Sequence, residues 1–247
     1  MKNTLMNTPN HFDSIAEHFN RIWYFSDDYK DFVISHILND LQFSPDDILA
    51  DIGGGTGSFT ARLQRDGAFK CAYCIEPSAP MCGEASKFSN ITAICTDAHG
   101  FLEQNIPFTK MLLKEVIHHI TDRETFWLNT YNSLPYEGKL LIITRPQQIS
   151  FPLFDAAREA FAKNQPPHDM IENELLECGF NINTSHRSHT FALNKKSWYE
   201  MLQHRFMSDL GVFSSQEIDE GIKEIESRYD GEVIDIIDHL IFIKATK

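Results

Sequence analysis

Hydrophobic and polar residues follow two periods along this chain, and together they predict strands that alternate with helices. Short apolar runs are typical of buried strands, whereas apolar residues three or four positions apart are typical of helices. The apolar runs are 48–52, 70–75, 91–95, 111–120 (whose last residues follow the strand), 138–144, 180–193 and 238–245. Helical spacing falls in 12–23, 31–41, 59–65, 151–162, 170–177, 196–210 and 215–229. Strands alternating with helices imply a parallel sheet with right-handed crossover connections.

The two ends of the chain add elements to this repeating unit. Two helices precede the first strand, and two amphipathic helices separate the last two apolar runs. The chain has no internal repeat and no low-complexity linker, so we expect a single domain over 1–247. We divide it into N-terminal helices (1–44), a ligand-binding core (45–150), and further helices with closing strands (151–247).

The segment that says most about function is 48–59, with the sequence ILADIGGGTGSF. It predicts a buried strand that runs into a glycine-dense turn and then into a helix. Glycine lets a ligand approach the backbone, because it has no Cβ and tolerates positive φ. The following helix directs free N–H groups and the positive end of its dipole at the same point. The segment therefore predicts a site for a nucleotide-like or carboxylate-bearing cofactor.

The spacing of the glycines separates two kinds of cofactor. A dinucleotide-binding turn has the pattern G-x-G-x-x-G, and Ser58 stands where its third glycine would be. The pattern here is D-x-G-x-G-x-G, formed by Asp51, Gly53, Gly55 and Gly57, with Gly54 inside it.

Three further strand ends carry polar residues in a fixed order. Glu76, 19 residues beyond Gly57, precedes Pro77; Asp97 and Ala98 follow the third run; His118 and His119 follow the fourth. An acid after the second strand is placed to accept hydrogen bonds from ribose hydroxyls. With these four signals in order, the sequence resembles the class I S-adenosylmethionine-dependent methyltransferases over about residues 12–144.

The resemblance implies an α/β fold with a Rossmann-like, doubly wound, mostly parallel seven-stranded sheet whose last strand is antiparallel. It also implies an N-terminal helical lid over the cofactor and a helical insertion before the last strand. A first helix that simply packs on the sheet is an equal alternative to the lid. Lys110 stands where many relatives carry an acid at the start of strand four. This departure leaves the subfamily unassigned but does not affect the prediction of the cofactor.

The implied cofactor is S-adenosyl-L-methionine, held at the four strand ends. The backbone of Gly53, Gly54, Gly55 and Gly57 would cradle its methionine portion, while Asp51 orients its amino group directly or through water. Glu76, followed by Pro77, would bind the ribose hydroxyls, and Asp97 with Ala98 would define the adenine pocket. Lys114 and Glu115 could meet the methionine portion, or could form an ordinary charge pair at the strand end.

The candidates for acceptor chemistry lie beyond the cofactor motifs. His118 and His119 could act as a base, because neutral imidazole accepts a proton near neutral pH; equally, one of them could only cap or pack. Arg145 could bind an acceptor carboxylate through its guanidinium or form a surface salt bridge. Tyr24 lies where a lid would touch the ligand. Aromatic residues in both flanking regions favour an apolar pocket for a small organic acceptor, methylated on O, N, S or C.

Net charge, cysteine content and the lengths of the apolar stretches limit which partners and which cellular location we expect. A net charge of −13 argues against binding to nucleic acid and to an anionic membrane surface. The five cysteines fit a reducing compartment, and the histidines lack the spacing of a metal site. Residues 1–11 are polar and contain no apolar run, so we expect no secretory signal. No stretch reaches the roughly 20 apolar residues that a membrane span needs. We therefore expect a cytoplasmic monomer or homodimer that holds no metal.

Two alternatives remain open. A protein of this fold could bind the cofactor without transferring methyl, because fold does not fix function. An NAD-dependent oxidoreductase would share the strand, the turn and the ribose acid, but Ser58 interrupts its fingerprint. The dehydrogenase pattern Tyr-x-x-x-Lys is also absent, since neither Tyr131 nor Tyr136 is followed by lysine four residues later.

Overall fold

The elements of the fold alternate as the sequence pattern predicts. The computed structural model describes residues 11–13, 15–16, 19 and 26–247. Its strands are β1 (Ile48–Ile52), β2 (Cys71–Ile75), β3 (Thr92–Ile94), β4 (Lys110–Lys114), β5 (Lys139–Thr144), β6 (Asn181–Asn194) and β7 (Val233–Thr246). Its helices from residue 26 onward are α1 (Asp27–Leu41), α2 (Ser58–Asp66), α3 (Ala79–Ala85), α4 (Ala98–Glu103), α5 (Arg123–Ser133), α6 (Asp155–Asn164), α7 (His168–Glu177), α8 (Lys195–Gln203) and α9 (Ser215–Arg228). Short 3₁₀ helices cover Ile117–His119 and Ser208–Val212, and the described residues between 11 and 19 are helical.

The seven strands form one sheet in the order β3-β2-β1-β4-β5-β7-β6. Neighbouring strands pair in parallel except at β7, which is antiparallel to both β5 and β6. The predicted Rossmann-like sheet is confirmed, and α8 and α9 form the expected insertion before the last strand. The strand order reverses between β1 and β4, so a crevice opens at their carboxyl ends.

The two faces of the sheet are covered by two separate hydrophobic clusters. Successive side chains of a strand point to opposite faces, so Leu49 of β1 joins the cluster beneath α1 while Ala50 joins the cluster beneath α5. Both residues are wholly buried. Strand β6 instead alternates exposed with half-buried positions, as expected for an edge strand with one face on the core.

The structure divides one predicted helix and thereby shapes the site. The apolar spacing over 196–210 predicts one continuous helix, but α8 ends at Gln203. Arg205 then adopts a left-handed conformation (φ 51°) and donates hydrogen bonds to the Phe213 carbonyl, which turns the chain. The residues after this turn form the 3₁₀ helix Ser208–Val212, which faces the crevice. No helix in the described ranges has the length and apolar character required to cross a bilayer.

Candidate active site

A cavity of about 630 Å³ occupies the crevice at the carboxyl ends of the strands, a volume typical of small-molecule sites. Most residues that the sequence analysis assigned to ligand binding line it: Asp51, Gly53, Gly54, Gly55, Glu76, Pro77, Asp97, Lys114, Glu115, His118, His119 and Arg145. Gly57 and Ala98 are not part of this lining. Tyr24 lies outside the described residues, so its predicted contact with the ligand stays a prediction.

The glycine turn is shaped partly by packing and partly by open space. Gly53 has a φ of 68°, and a Cβ there would clash with the side chain of Val116. A Cβ on Gly54 would clash with the Cys74 sulfur, whereas no atom lies within 4 Å of the Cβ position of Gly55. Gly53 and Gly54 therefore let the turn pack against its neighbours, and Gly55 leaves room beside the backbone for a ligand.

Glu76 joins the glycine turn to the end of β2. Its Oε2 accepts a hydrogen bond from the Gly55 backbone N–H at 3.0 Å, and its Oε1 accepts one from the Ser78 N–H at 2.9 Å. Burial raises the pKa of Glu76 against the opposing effect of these two hydrogen bonds. The carboxylate is therefore fixed in place at the cavity wall, where the sequence analysis expected a ribose to bind.

Asp51 is a buried carboxylate at the base of the cavity. Its Oδ2 accepts a hydrogen bond from the Thr60 hydroxyl at 2.6 Å. Burial raises the pKa of Asp51 to about 6, although Thr60 and the charge of Lys114 both act to lower it. Asp51 thus ionises within two pH units of neutrality, which makes its interaction with a cationic ligand group sensitive to pH.

Asp97 has a structural role besides the predicted one. It is the N-cap of α4, and its side chain accepts a hydrogen bond from the Gly100 N–H at 2.7 Å. Ala98, the next residue, is buried in the core. Any contribution of Asp97 to an adenine pocket is thus combined with capping the helix.

Arg145 belongs to a buried charge network. Its Nε and Nη2 donate hydrogen bonds to the two carboxylate oxygens of Asp238 at 2.9 and 2.8 Å, and its Nη1 forms an ion pair with Glu115. The Tyr29 hydroxyl donates to Asp238 Oδ2 at 2.7 Å. The surface salt bridge considered for Arg145 is wrong, because this guanidinium is 4% exposed. Binding of an acceptor carboxylate by Arg145 stays a prediction. Asp238 and Glu115 already occupy two sides of its guanidinium.

Glu115 and Lys114 point to different partners at the end of β4. Glu115 adopts a left-handed conformation (φ 59°) and pairs with Arg145 rather than with its neighbour. The Lys114 ammonium lies 4.4 Å from the centre of the Phe59 ring. Burial, together with the charge of Arg145, lowers the pKa of Lys114 to about 8, despite the attraction of Asp51.

The two histidines lie side by side on the 3₁₀ helix that follows β4. Their ring centres are 4.0 Å apart, and His119 contacts the edge of Phe12 at 5.9 Å. Burial lowers the pKa of His118 to about 4, and burial with the nearby His118 lowers that of His119 to about 3. Both rings are therefore neutral near pH 7 and carry a lone pair that can accept a proton.

The side of the cavity assigned to the acceptor combines aromatic residues of the two flanking regions, which the sequence analysis expected around a pocket, with Met207, Ser208 and Asp209, which it missed. Phe12 and Phe19 contribute from the N-terminal helix, and Met207, Ser208 and Asp209 contribute from the turn after α8; Phe151, Phe161 and Phe206 complete this side. The available signal for Asp209 was an acid within the mostly apolar segment 206–213. Within the part of the chain that is described, no cluster of His, Cys, Asp or Glu is arranged to hold a metal ion.

Comparison with known proteins agrees with this geometry. Residues 50–142 match the family described as a methyltransferase domain, while none of the curated proteins compared with the chain matches it. The cyclopropane synthase MmaA2 from Mycobacterium tuberculosis shares 17% identity at a TM-score of 0.65, over 99% of this chain and 100% of that one. Phosphoethanolamine N-methyltransferase 2 from Haemonchus contortus, in complex with S-adenosyl-L-methionine, shares 17% identity at a TM-score of 0.62, over 100% of this chain and 61% of that one.

A third solved structure is named for a different activity. The [4+2]-cyclase SpnF shares 14% identity at a TM-score of 0.58, over 88% of this chain and 80% of that one. At such identities each likeness concerns the fold. The family match and these neighbours confirm the predicted resemblance: residues 50–142 match a methyltransferase domain, and the chain is similar to the class I S-adenosylmethionine-dependent methyltransferases.

Proposed function

We propose that this protein transfers the methyl group of S-adenosyl-L-methionine to a small organic acceptor by in-line displacement. The observation that carries the proposal is one continuous cavity lined by two unlike sets of residues. We call the glycine turn, Glu76 and Asp97 its first wall, and the phenylalanine rings with the histidine pair its second wall. A direct displacement forms no covalent intermediate with the protein, so its main requirement is that both reactants are held together in one cavity.

The residues of the first wall fit this cofactor. Gly55 leaves open space beside its backbone, and the carboxylate of Glu76 lies at the cavity wall, placed to accept hydrogen bonds from ribose hydroxyls. Asp51 would orient the amino group of the methionine portion, and Lys114 lies close enough to Asp51 to interact with it electrostatically. The cofactor, when bound, supplies an electrophilic methyl group on a sulfonium.

The residues of the second wall would hold the acceptor and exclude water. Apolar rings displace water from the reacting atoms, which strengthens electrostatic interactions there. His119 is neutral at working pH and can accept a proton from an acceptor that must lose one. The net charge of −13 supports a small-molecule acceptor over nucleic acid or a membrane, and the five cysteines suit the cytoplasm. Either a monomer or a homodimer suits this role.

The rival function, cofactor binding without methyl transfer, has one specific observation in its favour. SpnF, which has a similar fold, is named for a cyclisation, so the fold alone does not guarantee transfer. An NAD-dependent oxidoreductase has less support, because Ser58 stands in place of the third glycine and the family match is to a methyltransferase domain.

Calorimetric titration with S-adenosylmethionine, S-adenosylhomocysteine and NAD(H) in parallel tests the cofactor. We expect micromolar binding of both sulfur nucleotides and no heat from NAD(H). Incubation with methyl-labelled S-adenosylmethionine and a panel of small acceptors then tests transfer. Binding without labelled product from any acceptor would favour the non-transferring alternative, and binding of NAD(H) alone would overturn the proposal.

A further inference from the structure

Asp209 is a buried carboxylate that faces the acceptor side of the cavity. It is 6% exposed and lies on the 3₁₀ helix Ser208–Val212. Asn164, the last residue of α6, donates a hydrogen bond from its Nδ2 to Asp209 Oδ1 at 2.6 Å. This bond fixes the carboxylate from a separate helix, so that its position does not depend on the 3₁₀ helix alone.

The charge of Asp209 has no cationic partner within the described part of the protein. No ion pair joins it to a lysine or arginine there. His119 and His11 lie close enough to feel its charge, but burial lowers the pKa of both rings and leaves them neutral. A buried carboxylate without a counter-charge is unfavourable, so a ligand group is the natural partner.

The cavity offers little to an anionic acceptor. Each cationic side chain that lines it in the described ranges already has an acid beside it. Arg145 is held by Asp238 and Glu115, the Lys30 ammonium lies 3.7 Å from Asp27, and Lys114 interacts with Asp51 on the cofactor side. A carboxylate or phosphate on the acceptor would meet Asp209 without a matching cation.

The aromatic lining of the cavity favours the opposite charge. Six phenylalanine side chains line it: Phe12, Phe19, Phe59, Phe151, Phe161 and Phe206. Two of these rings already lie against cations, since the Arg145 guanidinium is 5.0 Å from the centre of the Phe151 ring and the Lys114 ammonium is 4.4 Å from that of Phe59. The face of an aromatic ring attracts a cation through its quadrupole and repels an anion. The same rings provide apolar area for the body of the acceptor. The rings and the carboxylate therefore select for the same kind of ligand.

We infer that the methyl acceptor is a small organic amine with an apolar body, whose nitrogen lies against Asp209. This inference rests on the proposed function and specifies its acceptor. The amine reacts uncharged, the proton of its ammonium form having passed to solvent. Its nitrogen lone pair forms the N–C bond as the C–S bond breaks and leaves its electron pair on sulfur. Positive charge moves from sulfur to nitrogen, and Asp209 stabilises that charge as it develops.

Three probes with the same apolar body test the head group directly. We would titrate the protein with 2-phenylethylamine, 2-phenylethanol and 3-phenylpropionate, each with and without saturating S-adenosylhomocysteine. We expect the amine to bind at least about tenfold more tightly than the other two, since a hydrogen bond to a charged group contributes this much or more. Equal or tighter binding of the alcohol or the carboxylate, or failure of the amine to bind, would overturn the inference.

Matched variants show whether Asp209 causes the preference. Asp209→Asn keeps the shape and removes the charge, so the amine should lose its advantage. Asp219→Asn makes the same change at an exposed position on α9, and this variant should keep the preference for the amine. A preference retained in Asp209→Asn contradicts the assignment, and the wild-type probe comparison stands even if that variant folds poorly. Binding of S-adenosylhomocysteine, measured on the same samples, tests the proposed function separately.

Discussion

The two walls of the cavity are built from the chain in different ways. The cofactor-side wall comes from short segments that each follow a strand of the parallel sheet, and the sheet order fixes their positions. The acceptor-side wall combines the N-terminal helix, the segment after β5 and the turn after α8, which are far apart in sequence. If the proposed function holds, the first wall can vary little without losing the cofactor, whereas the second can change its side chains and thereby its acceptor.

The largest effect should come from the buried charge network around Arg145. Asp238→Ala leaves Arg145 buried with Glu115 as its remaining acid, and we expect a loss of about 3–5 kcal/mol in the free energy of unfolding. Urea denaturation at pH 7.5 measures this loss. Asp235→Ala, an exposed position on the same strand, should change the free energy by less than about 0.5 kcal/mol. Similar losses in both variants would mean that the charge network makes no specific contribution to the free energy of unfolding.

His119→Ala tests whether the acceptor wall contributes chemistry. If His119 takes a proton, turnover should fall about 10²-fold while the affinity for S-adenosylhomocysteine is unchanged. We expect the lower end of the range for a general base, because the pKa of His119, about 3, lies far below the working pH. Exposed His204→Ala serves as the control. A parallel loss of cofactor affinity would make His119 a structural residue of the cofactor wall.

Glu76→Ala tests the cofactor wall alone. Removing the carboxylate should weaken S-adenosylhomocysteine binding by about 1–3 kcal/mol, the cost of losing hydrogen bonds to a charged group. Asp51→Ala should have an effect of the same size, and Glu103→Ala, an exposed acid at the end of α4, should have none. Calorimetry measures the three affinities. If neither Glu76→Ala nor Asp51→Ala changes the affinity, the assignment of this wall to the cofactor is wrong.

The smallest predicted effect is a pH dependence confined to the cofactor wall. Burial raises the pKa of Asp51 to about 6 and that of Glu76 in the same direction. Both acids therefore gain charge as the pH rises towards neutrality, and an ionised Asp51 binds an ammonium group better than a protonated one. Affinity for S-adenosylhomocysteine should rise about tenfold from pH 5 to 7. In Asp51→Asn the affinity should change little with pH. An equally steep rise in that variant would show that Asp51 does not cause the pH dependence.

Local patterns in the sequence predicted the sheet and the cofactor wall. Each strand is a short apolar run that ends in a polar residue, and parallel strands place such ends at one edge. The positions of Glu76 and Asp97 at the cavity therefore followed from their places in the sequence. Helix ends were predicted less well, because α8 stops at a left-handed turn around Arg205 that apolar spacing does not reveal.

Long-range contacts decided the rest, and Arg145 is the clearest example. Its sequence position, just past β5, is open to a ligand role or a surface ion pair. The structure buries Arg145 against two acids. Asp238 lies 93 residues later in the chain, and Glu115 lies at the end of the neighbouring strand β4. A pairing over such a separation leaves no periodic signal in the sequence.

By itself, the sequence determined the fold class and the wall that resembles a cofactor site, because both depend on interactions within strand–turn–helix units. The tertiary structure alone decided which side chains meet in the cavity, and it placed Asp209 near His119. The reason is physical. Burial and charge partners come from distant segments, and these set the pKa values of His119 and Asp51 and the pairing of Arg145.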